Sequence, residues 1–202
     1  RQAYTFSMGT DALGRDIYSR VIYGTRVSLV IGALVAVLAT AFGLAIGVVA
    51  GYVRWSDGLI MRFMDGLMAI PPILLAIALV SLSRAGVAAV VVAISIPEIP
   101  RVVRLVRAIV LSIREEPYVE AAVTSGTPTP VLLFRHVLPN CIAPLIVQAT
   151  FVAASAILVE SILSFLGVGI PPEVPSWGNI MSAGRQYFRI FPHNMLYPGI
   201  CI

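Results

Sequence analysis

The chain has 202 residues, 58% of them hydrophobic and 12% charged, with a mean hydropathy of +0.93. A soluble domain carries about a quarter charged residues, so this chain has too little polar surface to face water all round, and the bilayer is the solvent that fits it. The net charge of +4 rests on 14 basic residues, every one an arginine; without lysine there is no phosphate-loop lysine and no Schiff-base nucleophile, and arginines set between long apolar runs exclude nucleic acid as a partner.

Residues 1–26 are polar and mixed and read as an interfacial or periplasmic lead-in, with Asp16 and Arg20 at ion-pair spacing on a short helix. Val27 to Val53 runs 27 residues without a charge. As helix that is roughly 40 Å, enough to cross a ~30 Å core with tilt. Within it Gly43, Gly47 and Gly51 recur every fourth residue and form a smooth stripe for close helix packing. Arg54 to Asp65 reads as a charged loop, with Asp65 opening the next helix, where a carboxylate suits the N-terminal dipole. Gly66 to Ser83 makes a second span of 18 residues, kinked at Pro71-Pro72.

Arg84 marks a tight turn. Ala85 to Pro97 is apolar for only 13 residues and runs on through Glu98 and Pro100 into Arg101, Arg104 and Arg107. The spacing predicts one kinked helix leaving the membrane, its arginines at or beyond the headgroups, with a local Glu98–Arg101 ion pair. Arg114 to Arg135 is the one long polar stretch between spans. Leu145 to Val168 is a further span with Glu160 inside it. A glycine- and proline-rich loop and the interfacial aromatics Trp177, Tyr187 and Phe188 follow, and another apolar run begins at Pro192. The expected fold class is all-α, a polytopic transmembrane helical bundle of four spans and the start of a fifth.

An acid inside a span costs several kcal/mol unless it faces a cavity or a partner. Glu160 is therefore a candidate for a translocation path or a subunit interface, the competing reading being a carboxylate near the outer interface satisfied by water or backbone. His136 and His193 have no carboxylate or cysteine at ligand spacing, and Cys141 and Cys201 no metal-ligand pattern. The chain shows no nucleophile elbow, paired carboxylates or zinc-protease helix. Neither a catalytic nor a metal-ligating residue is assigned.

The polar stretch carries Glu120-Ala121-Ala122, then Gly126, then His136-Val137-Leu138-Pro139-Asn140. Alanines let a short helix approach a partner closely, Glu120 offers it a charge, and Gly126 releases the helix into a turn. The pattern resembles the Glu-Ala-Ala…Gly…Leu-Pro coupling loop of ABC importer permeases with type I (MetI-like) membrane domains. Three more stretches resemble the C-type permease of dipeptide, oligopeptide and nickel importers: Gly9 to Asp16 with Gly24-Thr25-Arg26; Met61 to Asp65 with Ile70-Pro71; and Glu160 to Gly167 with Pro171-Pro172 and Ser176-Trp177-Gly178.

The resemblance implies a multi-pass protein of the bacterial inner membrane, with the permease domain over 27–202 and with the first span and most of the last outside this chain. It implies a cytoplasmic loop in which Glu120, Ala121, Ala122, Gly126, Leu138 and Pro139 couple to ATPases. The implied partners are a second permease subunit, two ABC ATPase subunits, an extracytoplasmic solute-binding protein and membrane lipids. ATP would sit on the partner subunits, with no cofactor on this chain. One departure stands out. Pro128 and Pro130 follow Gly126, and proline disfavours helix at itself and just before itself, so the coupling helix is expected to stop near Ser125. The rival from another class is an ion-coupled secondary transporter, for which Glu160 and the Pro71-Pro72 break would be the working parts.

Overall fold

The computed structural model describes residues 6–83 and 86–202. The turn expected at Arg84 and the first five residues of the lead-in lie outside them. The helices in chain order are α1 (Ile17–Tyr52), α2 (Arg54–Met68), α3 (Pro72–Leu82), α4 (Val87–Arg114), α5 (Pro117–Thr124), α6 (Thr129–Leu132), α7 (Leu138–Phe165), α8 (Trp177–Gly184) and α9 (His193–Cys201). A π-turn over Leu133–Val137 joins α6 to α7, and a 3-10 turn over Arg185–Tyr187 follows α8. The one β pairing among the described residues is an isolated bridge between Thr10 and Asp16.

Among the described residues two helices are long and apolar enough to cross a membrane unaided, Ile17–Tyr52 and the continuous Thr129–Phe165. The expected lead-in helix and first span are one element, because α1 starts at Ile17 and passes position 26 without a break. The charged loop expected over 54–65 is the amphipathic helix α2 instead, and the expected second span is a bent pair: α2 and α3 meet at 86°. Consecutive prolines explain the break. Each lacks the N–H that would bond one turn back, so Pro71-Pro72 removes two rungs together. The third expected span is α4, 28 residues long and helical through Pro97 and Pro100, but with Glu98, Arg101, Arg104 and Arg107 along its middle.

The chain divides into two compact units, one of Arg1–Val35, Ile73–Ile94 and Ala153–Ile202, the other of Ala36–Pro72 and Ser95–Val152. In the second unit the glycine face of α1 lies on α4. A Cβ on Gly47 would stand 2.7 Å from Val106 Cβ and 3.0 Å from the Val103 carbonyl; one on Gly51 would stand 2.6 Å from Val110 Cβ; and one on Gly43 would overlap Val102. The valines repeat every fourth residue as the glycines do, so two backbones approach along one seam. The opposite side of α4 turns Arg104 and Arg107 to α2. Arg107 grips Asp57 with two hydrogen bonds of 2.5 and 2.6 Å, and Arg104 meets Asp65 at 2.6 Å. Asp65 thus lies in the last turn of α2 as an ion-pair partner and opens no helix. The local Glu98–Arg101 pair is present at 3.4 Å.

The forked Arg107–Asp57 pair is partly shielded, with side chains 30% and 25% exposed. Solvent screening limits what such a pair contributes, and its bidentate geometry raises it within that limit. Asp57→Asn and Arg107→Gln are each expected to lower thermal stability in detergent by about 1 kcal/mol, with the double variant little worse than either single one. Additive losses would show that the two side chains act independently.

In the first unit Gly32 of α1 sits against Ile157 and the Ala153 carbonyl of α7. Ile17, Val21, Trp177 and Ile180 form a buried cluster with Met8 and Ile157 packed on it, and Trp177 Nε1 donates to the Val21 carbonyl at 3.2 Å. Asn179 Nδ2 donates to the carbonyls of Ile170, Pro171 and Val174 at 3.0–3.2 Å and so shapes the loop before α8. The expected Asp16–Arg20 pair is not made. Asp16 accepts from the backbone and hydroxyl of Ser19, while Arg20 reaches Asp11 at 2.9 Å. Burial pushes the Asp11 carboxyl upward, but donors from Arg15 and Leu13 outweigh it and hold the group below the usual carboxylate range.

Candidate functional site

The stretch singled out in the sequence folds as a short helix with both ends fixed. Glu115 and Glu116 close off α4 by bonding to the Ser112 and Ile113 carbonyls. Pro117 then takes the first position of α5, where its missing N–H costs nothing. Val119 is the buried anchor, while Glu120 and Ala121 are exposed and Ala122 half-buried. The helix ends at Thr124 with Ser125 as its cap, where the prolines following Gly126 led one to expect it.

The termination is a Schellman motif. Thr127 N–H bonds to the Ala122 carbonyl at 3.1 Å and Gly126 N–H to Val123 at 3.0 Å. Gly126 has φ +77° and open space around it, so glycine is needed there for backbone conformation and not for room. Thr124 and Ser125 hydroxyls add bonds of 2.8–3.0 Å to carbonyls inside the helix. Pro130 falls in the first turn of α6, where it is compatible with helix.

Leu138 and Pro139 open α7. The π-turn before them closes with Leu138 N–H on the Leu133 carbonyl, and Pro139 follows without a donor of its own. Asn140 Nδ2 donates to the His136 carbonyl at 2.6 Å and to the Tyr118 hydroxyl at 3.3 Å, joining α7 to α5. The Tyr118 and His136 rings lie 5.9 Å apart. Spacing in the sequence gave no hint of this clasp.

A second feature absent from the sequence reading lies beside α5. Arg114, the last residue of α4, donates to the Gly51 and Tyr52 carbonyls at 3.0 and 3.1 Å, and its guanidinium stands 5.5 Å over the Tyr52 ring. The end of α1, whose last carbonyls have no partner within their own helix, is thereby tied to the residue that leads into α5. Tyr52, Arg114, Val119, Glu120, Val123, Thr124 and Leu132 line a cavity of about 470 Å³ at this point.

Glu160 is elsewhere, wholly enclosed within the first unit. Its carboxylate accepts from Ser164 Oγ at 2.7 Å and more weakly from Ser28 Oγ at 3.4 Å, with Ser176 also directed at it. Ser161 lies alongside, its hydroxyl without a partner of good geometry. The side chain has no exposed surface in this structure, and serine hydroxyls surround its carboxylate. Among the described residues no cluster of His, Cys, Asp and Glu is set to hold a metal ion. Cys141 is buried and Cys201 exposed.

Residues 39–200 match the family described as binding-protein-dependent transport system inner membrane component. The chain is 55% identical over 194 residues to the probable peptide ABC transporter permease protein y4tQ of Sinorhizobium fredii, covering 96% of this chain and 67% of the relative. It is 49% identical over 194 residues to a putative peptide transport system permease protein of Brucella suis, covering 96% and 66%. It thus spans about two thirds of the length of these curated relatives. In fold it is similar to the inward-facing MetNI methionine ABC transporter, CY5 native crystal form, with a TM-score of 0.73 at 18% identity, over 91% of this chain and 88% of that one. The fold is the all-α one expected from the apolar runs and the MetI-like one that the resemblance implied, and the chain belongs to the binding-protein-dependent transport system inner membrane component family.

Proposed function

We propose that this chain forms half of the membrane path of an ATP-driven importer of peptides, and that α5 is the lever by which separate ATPase subunits move it. Support comes from the placement of the Glu-Ala-Ala stretch on a short helix that exposes Glu120 and Ala121 and is fixed at both ends. The names of the two relatives support peptides as the cargo class. A second permease subunit, two ATPases and a solute-binding protein complete the assembly in this reading, and nucleotide binds to the ATPases.

The mechanism is mechanical. α5 hangs from α4 through Glu116 and from α7 through the Tyr118–Asn140 contact, so a push on it reaches two long helices. Gly126 and the Leu138-Pro139 entry to α7 fix its outgoing end, and Arg114 ties the same base to α1. The glycine seam between α1 and α4 keeps those helices moving together. Packed helices switch as rigid bodies between discrete arrangements. An ion-coupled carrier finds no support. It needs a midplane acid facing a cavity, whereas Glu160 is enclosed by serines and the family is binding-protein-dependent.

The test is Glu120→Lys, with Ala121→Trp beside it, in the full transporter reconstituted with its ATPases and binding protein. A charge-assisted contact contributes about 1.5–3 kcal/mol, so peptide uptake and peptide-stimulated ATP hydrolysis should fall roughly 10- to 100-fold. Melting temperature should not change. Wild-type uptake in both variants would falsify the lever.

A further inference from the structure

The outer face of α2 carries charge that its own acids do not balance. Both aspartates are occupied, Asp57 by Arg107 and Asp65 by Arg104. Arg54 and Arg62 are exposed, stand two turns apart on the same side, and have no ion pair among the described residues. Beside them Trp55, Leu59 and Phe63 form a strip at every fourth residue, exposed by 82%, 70% and 64%. Gly58 and Gly66 complete this face, with no other atoms near them. The opposite side is buried through Ser56 and Met64.

On the reading of α1 as a membrane span, α2 starts at the membrane boundary. It begins two residues after α1 ends, and at its other end the chain turns by 86° into the apolar α3. Water is a poor neighbour for three large apolar side chains in a row. The core of a protein–protein interface is depleted in charge, which argues against seating two unpaired arginines there. A helix with a cationic strip beside a Trp/Leu/Phe strip suits the boundary between lipid headgroups and acyl chains.

We propose that α2 lies in the membrane surface and that Arg54 and Arg62 recruit acidic phospholipid headgroups, with Trp55, Leu59 and Phe63 inserted beside them. The proposal rests on the reading of α1 as a membrane span and adds a lipid-selective contact to it.

The test uses the full-length permease assembled with its partner subunits in vesicles of phosphatidylcholine with added phosphatidylglycerol. A spin label is placed at Leu59→Cys, with accessible cysteines such as Cys201 replaced by serine, and a control label at Val37→Cys on the exposed side of α1. Oxygen and an aqueous nickel chelate report depth. Expected is an acyl-chain reading at 37 and a headgroup-boundary reading at 59. A label at 59 that is immobilised and shielded from both reagents means that a partner subunit covers the face, and one open to the chelate alone means water; either result overturns the proposal. An aqueous reading at 37 removes the membrane reading itself, and the proposal with it. In the same complex, native mass spectrometry of retained phosphatidylglycerol should show about a fivefold loss for each of Arg54→Gln and Arg62→Gln, with phosphatidylcholine retention unchanged. Equal retention of both lipids by the variants and the parent refutes the selectivity.

Discussion

Gly47→Leu is expected to destabilise the permease by about 3 kcal/mol, the upper end of the usual cost of overpacking. A bare Cβ at this position already lies 2.7 Å from Val106 Cβ, 2.9 Å from Val106 Cγ1 and 3.0 Å from the Val103 carbonyl. Two of the three obstacles belong to a β-branched side chain with little freedom in a helix, and the third is backbone, so the seam must open along its length. Leucine is a better helix former than glycine by under about 1 kcal/mol, which offsets only part of the loss. Thermal unfolding in detergent measures the effect. Adding Val106→Ala should recover part of it, whereas Gly58→Ala, at a glycine with open space around it, should leave stability unchanged or slightly raised. A Gly47→Leu protein that melts with the parent would show that α1 and α4 do not pack as described.

Glu160→Leu is expected to lower stability by roughly 2–5 kcal/mol, because removing one partner strands buried hydroxyls at about 1–3 kcal/mol each. Ser164 is the first affected, since it donates to Glu160 and also accepts from the Ile170 N–H at 3.4 Å. Ser28 on α1 loses its acceptor as well. Glu160→Gln keeps the shape and one acceptor and should cost under about 1 kcal/mol. The two variants separate packing from polarity. If leucine and glutamine behave alike in denaturation, the serine cage contributes nothing.

Local signals in the sequence were sufficient for some of these features and silent on others. The glycine stripe at 43, 47 and 51 announced a close approach because its period puts three glycines on one face. Its counterpart, Val102, Val106 and Val110, has the same period, but Arg101, Arg104 and Arg107 interleave with it and drew attention to the charged side of the helix. The termination of α5 was readable because φ > 0 and proline constraints act within two or three residues. The helix α2 was not, since dense charge in 54–65 resembles a loop until its acids find Arg104 and Arg107, 39 and 50 residues away. Glu160 was visible as an anomaly but not as a structural tie, because Ser28 lies 132 residues before it. The Arg114 and Asn140 contacts were equally silent, each joining elements that only the fold brings together.

Leu132 and Val137 are both enclosed, at 1% and 0% exposure, although five residues separate them. In an uninterrupted α-helix that separation would turn them about 140° apart. The wide turn over Leu133–Val137 absorbs the surplus residue, so the sequence that follows, with Cys141, Leu145 and Val152 facing inward, keeps phase with Val137. It acts as a shim in a screw thread. Removing a single residue from it would rotate everything upstream by about 100° against α7, and the angular setting of the Glu120 helix is therefore written in residue count as well as in side chains.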